Sequence, residues 1–186
     1  MIKQIGYIFW GLLLVILDFK LNQFDILPDF IGYILVAVGS GGLMAASSQF
    51  AIARNSCWAL VALSLVGLVL RGDLGAILGV IQLAANCTMM WFLLGGFMDL
   101  SLSIGRSDLA DKASNRRVVY VALTCGASVL GFVAQQTRDI SPVLLIVIVV
   151  AMLVLLVLIL HLIHQVKSAL IDNSNIGIQS TPLSRL

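Results

Sequence analysis

Glutamate is missing altogether: all nine acidic residues of this 186-residue chain are aspartate. Charge of either sign is scarce, at 11% of residues against roughly 25% in soluble domains. With 60% of residues hydrophobic, that balance excludes an ordinary soluble globular domain. A net charge of +2 excludes the strongly basic surface of a nucleic-acid binder. Cysteine is sparse, and Cys57, Cys87 and Cys125 stand singly inside apolar runs without CxxC or paired spacing. That pattern points to small buried hydrophobes, not to a zinc site or a disulfide framework. Catalytic signatures are missing too. No HExxH, GxSxG, DxxD-type metal pair or Ser/Lys dyad sits within the apolar runs, so no enzyme, cofactor or metal is expected.

What the chain does have is apolar residues in long blocks, with a mean hydropathy of +1.07. Blocks of that kind argue for membrane spans over one large core. The expected fold is all-α, a polytopic transmembrane bundle with six spans at about 5–21, 28–50, 56–70, 74–98, 118–134 and 142–166. They form one transmembrane domain, 1–170, followed by a flexible cytoplasmic tail, 171–186. The first apolar run ends in Asp18-Phe19-Lys20 without a small-x-small cleavage site, so it is expected to remain in the protein. From Ile5 to Leu17 it reaches only about 20 Å, short of a roughly 30 Å hydrocarbon core. Either the helix continues through Asp18 or the bilayer thins there.

The stretch NQFDILPDFIGYIL, Asn22 to Leu35, turns the chain at a membrane surface and starts the second span. Pro28 suits a first helical turn, where its missing N–H has no intrahelical acceptor. Asp29 follows at the positive end of the helix dipole, and Tyr33 suits headgroup depth. Asp18, Asp25 and Asp29 form a candidate acidic cluster. It is either a helix-start signal or a proton or cation site.

The longer run DFKLNQFDILPDFIGYIL, Asp18 to Leu35, resembles a pattern of small, functionally uncharacterised multi-pass membrane proteins of bacteria. The resemblance implies a bacterial inner-membrane location and supplies no catalytic residues.

Further along, Ala37, Gly41 and Ala45 form a small-residue stripe, and Gly75 and Gly79 a GxxxG; both are expected to pack against other helices. Gln82 and Asn86 share a helix face at mid-span and must find partners or line a wet path. The tripeptide Arg71-Gly72-Asp73 reads as a tight turn between spans. Asp99 to Arg117 is the long polar connection, with Leu100, Leu102, Ile104 and Leu109 suited to rest on the membrane surface. His161 and His164 close the greasiest segment as an interfacial pair, and a loosely ordered tail begins at Lys167.

Six spans put Lys3, Arg54, Arg106, Lys112, Arg116, Arg117, Lys167 and Arg185 on one side and Lys20, Arg71 and Arg138 on the other. The positive-inside rule makes both termini cytoplasmic. An echo links WGLLLVILDFKL, Trp10 to Leu21, with WFLLGGFMDLSL, Trp91 to Leu102. It is read either as a 3+3 inverted repeat or as a coincidence of low-complexity apolar sequence. Two functions fit best. One is a membrane scaffold, interaction or assembly protein; the other is a small oligomeric transporter or channel for a small solute or cation. The expected partners are the lipid bilayer and a second copy or another membrane protein, with no nucleic acid.

Overall fold

The computed structural model describes residues 1–16, 20–21, 24–25, 29–67, 73–137 and 142–179. The described residues form six helices: α1 (Ile2–Ile16), α2 (Asp29–Gly41), α3 (Gln49–Gly67), α4 (Asp73–Ser103), α5 (Ser107–Thr137) and α6 (Pro142–Gln179). Between α1 and α2, Lys20–Leu21 (β1) pairs antiparallel with Phe24–Asp25 (β2), Lys20 opposite Asp25. Among the described residues three helices are long and apolar enough to cross a membrane: α3, the stretch Ile77–Ser103 of α4, and Ile146–Asn173 of α6.

Each helix packs on the next, and α6 closes back on α1 to complete a ring. The core lies toward the end that holds the start of α1, the end of α4 and the start of α5, where Ile5, Phe50, Leu94, Phe97 and Leu109 are buried. Phe50 and Phe97 meet edge to face there, ring centroids 5.5 Å apart, a geometry worth about 0.5–1.5 kcal/mol beyond area burial. Toward the other end the helices turn apolar side chains outward, as Ile77, Val80, Val129, Ile146 and Val147 do.

The tightest seam joins α1 to α2. Gln4, Ile8, Gly11 and Val15 repeat along one face of α1, and Gly32, Val36 and Gly39 along one face of α2. A Cβ on Gly11 would stand 2.7 Å from the Gly32 carbonyl oxygen, and one on Gly39 2.6 Å from that of Gln4. The backbones therefore touch, and only hydrogen fits at these positions.

Several boundaries depart from the sequence reading. The second apolar block is not one helix: α2 stops at Gly41, a turn follows, and α3 starts at Gln49, ahead of the expected 56. Gly41-Gly42 supplies two poor helix formers in succession, and Leu43 N–H then bonds back to the Ser40 carbonyl at 3.0 Å. Ala45 consequently leaves the helix and is exposed in the turn. Tyr33, expected at headgroup depth, is buried.

The polar connection 99–117 is helical except at Ile104, Gly105 and Arg106. Gly105 there has φ +72°, while Arg106 N–H bonds to the Ser101 carbonyl and Gly105 N–H to that of Leu102. This paired 6→1 and 5→2 pattern is a glycine C-cap, which ends α4 and lets α5 begin at once. Leu100 and Leu109 accordingly enter the core instead of resting on a membrane surface, while Leu102 stays exposed. The segment expected to be a loose tail continues as helix to Gln179.

Candidate functional site

Polar side chains within the bundle are few; most of the side-chain hydrogen bonds among the described residues stay within one helix or turn, and a handful fasten one helix to another. The densest group joins the start of α3 to the end of α4. Ser47 Oγ accepts the Gln49 backbone N–H at 3.2 Å, which caps an otherwise orphaned donor of α3. The same hydroxyl donates to Asp99 Oδ2 at 2.6 Å, and Gln49 Nε2 donates to that oxygen at 3.0 Å. The Asp99 carboxylate thus sits against the positive end of the α3 dipole, the place a helix favours for an anion. Gly95 makes the contact possible, because a Cβ there would overlap Gln49 Oε1. The sequence showed Asp99 only as the first residue of a polar connection.

A second fastening joins α4 to α5: Tyr120 Oη donates to Asn86 Oδ1 at 3.3 Å. Gln82, one turn earlier on α4, is half-buried. Toward the basic end, the Arg117 guanidinium lies 4.5 Å over the Trp91 ring. Arg116 Nη1 donates across to the Leu158 carbonyl of α6. Cys87 on α4 and Cys125 on α5 also come within side-chain reach of each other. All three cysteines are free thiols, and only Cys57 is fully buried, so the expectation of three buried cysteines holds for one.

At the α4–α5 turn, Arg106 grips Asp108 through Nε at 2.9 Å and Nη2 at 3.0 Å. These hydrogen bonds hold the exposed Asp108 carboxyl down at about 2.

The remaining candidates are dispersed. Asp18 lies outside the described residues, as do the side chains of Asp25 and Asp29; the backbone of Asp25 belongs to β2, and Asp29 is the first residue of α2. Ala37 is buried, and a Cβ on Gly41 would meet the Arg54 Cδ at an ordinary 3.5 Å. Gly75 is described as α4 backbone alone. Gly79, expected against a neighbouring helix, opens onto space, with nothing within 4 Å of a Cβ built there. Among the described residues, then, Gly79 meets no neighbouring helix, although α3 still reaches this half of α4 where Gly67 approaches Leu78. His161 and His164 do not act as a pair: His161 Nε2 lies 3.1 Å from Gln165 Nε2 one turn on, while His164 lines a cavity between α1 and α6. Among the described residues no three His, Cys, Asp or Glu side chains gather as a metal site would require.

Other cavities lie where the α2–α3 turn meets the end of α4, at about 330 Å³, and between α4 and α5 beside Cys87 and Trp91, at about 320 Å³. Neither gathers charged side chains. Set beside known proteins, the chain matches no family, no curated sequence and no solved structure.

Proposed function

We propose that the protein is an integral membrane scaffold or assembly protein that binds another transmembrane helix along α4 and α5. One observation carries the proposal. The outward faces of those two helices combine exposed Ile77, Val80, Ile81 and Val129 with Gly79, Gly126 and Gly131, beside which a Cβ would meet nothing. Lipid requires no such gaps, whereas small residues on an apolar face let a second helix approach closely. The outward face of α6 makes the contrast: Val143, Ile146, Val147, Val150 and Val154 are exposed on it, and no glycine occurs from Pro142 to Asn173. It suits lipid alone.

The alternative, a small oligomeric transporter or channel, needs Gln82, Asn86 and an outer aspartate on one wet path. The bond from Tyr120 uses the Asn86 oxygen inside the bundle and counts against that reading. The proposal extends the three apolar crossings to six by adding α1, α2 and α5. Arg106 in the α4–α5 turn and Lys3, Arg54, Lys112, Arg116, Arg117 and Lys167 in the helices that meet there all lie toward one side, which supports cytoplasmic termini. The resemblance of Asp18 to Leu35 supports a bacterial inner membrane.

Gly79→Leu and Gly126→Leu test the proposal. In membranes, cross-linking of the unaltered chain is expected to trap a stoichiometric complex with itself or another membrane protein. Both variants should lose it while keeping thermal stability in detergent. A monomer under cross-linking, or complexes indifferent to both substitutions, would overturn the reading.

A further inference from the structure

From the groove between α1 and α6 we infer a binding site for the headgroup of an anionic phospholipid. The groove holds a cavity of about 130 Å³. Gly6 and Phe9 form its α1 wall, His164 and Lys167 its α6 wall, and Trp10 its rim. A Cβ on Gly6 would meet nothing within 4 Å, so the absent side chain is what keeps the groove open.

Chemistry and depth select the occupant. The unbroken apolar run of α6 ends at Leu160, and Lys167 lies only about 10 Å further along the helix. That is the headgroup zone. Trp10 is 59% exposed beside the groove, as suits an indole at a membrane interface. Lys167 brings a full positive charge, and His164 offers a ring N–H donor in either protonation state.

Neither helix that walls the groove brings a carboxylate to it. Helix α1 carries no acid, only Lys3, and the one acid of α6, Asp172, stands five residues beyond Lys167. Five residues turn the helix well away from the groove, and Asp172 lies instead within electrostatic reach of Arg106. Basic pockets between membrane helices recognise anionic headgroups in this manner. The site stands whether or not the protein is a scaffold.

The test uses the full chain carrying Trp58→Phe and Trp91→Phe, which leaves Trp10 as the sole tryptophan. It is reconstituted in phosphatidylcholine vesicles containing a minor fraction of brominated phospholipid, whose bromines quench a nearby indole. Brominated phosphatidylglycerol is expected to compete for the Trp10 neighbourhood about fivefold better than brominated phosphatidylcholine, the factor of one basic side chain at an anionic surface. Lys167→Gln should abolish that preference by removing the charge. Gly6→Leu should abolish it by filling the groove with both basic groups retained. Lys112→Gln, on the exposed start of α5, should leave it unchanged. Equal quenching by the two lipids, or a preference that survives both groove variants, would overturn the inference. So would displacement by inorganic phosphate beyond the effect of sodium chloride at equal ionic strength, which would assign the groove to a free anion.

Discussion

At Gly39 a single added carbon would stand 2.6 Å from the Gln4 carbonyl oxygen, while at Gly41, two residues on, it would find 3.5 Å to a flexible arginine stem. Gly39→Ala is therefore expected to cost about 1–3 kcal/mol, since two backbones would have to separate. Gly41→Ala should change stability by no more than about 0.5 kcal/mol. Thermal unfolding in detergent distinguishes them, and equal stabilities would refute the seam. Asp99 is the other residue on which much rests. Asp99→Ala leaves the Ser47 hydroxyl and the Gln49 amide without their acceptor, at a cost of about 1–3 kcal/mol. Asp99→Asn keeps one acceptor oxygen and should recover part of it in the same unfolding measurement. Little of this was legible in the sequence. Small residues were visible as a class, but which glycine meets a backbone depends on how α1 crosses α2, and no periodicity in α2 encodes that. Asp99 looked like the start of a loop because its partners, Ser47 and Gln49, lie on a different helix.

Among the elements, the long apolar helices were easiest to read and their ends hardest. A window of hydropathy runs across Gly41-Gly42 because Leu43, Met44, Ala45 and Ala46 are as apolar as the helix before them. The break comes from local hydrogen bonding and from the cap at Ser47. The α4–α5 hairpin misled in the opposite way, because charge suggested a loop where Gly105 needs only a tight turn. Its ion pair gives a pH signature. Arg106 hydrogen bonds lower the Asp108 carboxyl from an ordinary 3.8 to about 2. A carboxyl depressed in the folded state favours folding above its ordinary value and loses that contribution as pH falls through the depressed one. The Asp108 carbon resonance should thus titrate near 2, and Arg106→Gln should return its midpoint toward 3.8. An unchanged midpoint in the variant would show that the pair does not hold the charge.

Across the whole molecule, the all-helical membrane class was plain from composition, whereas the number of crossings depends on α1, α2 and α5. Helices α1 and α2 have 15 and 13 residues, about 22 and 20 Å of rise, and α5 carries charges through its first turns. Reporter fusions settle their path. Fusions after Asp25, Asp73 and Asp139 are expected to read external, and those after Arg106 and Lys167 cytoplasmic; a cytoplasmic Asp25 fusion would remove α1 and α2 from the crossings, and a cytoplasmic Asp139 fusion would remove α5. The ring in which each helix leans on its predecessor also has a temporal side. Contacts between neighbours in sequence form early and cheaply, so the bundle can assemble in the order in which its helices are synthesised. The pairing of α6 with α1 is the exception, since it joins the first and the last of the described helices. Until α6 arrives, α1 rests on α2 through the glycine seam, and a chain stalled after α5 would have the neighbouring pairs from α1·α2 to α4·α5 but no closed circuit. Closure of the ring then waits for α6, and the surface between α1 and α6 first exists once that helix has been made.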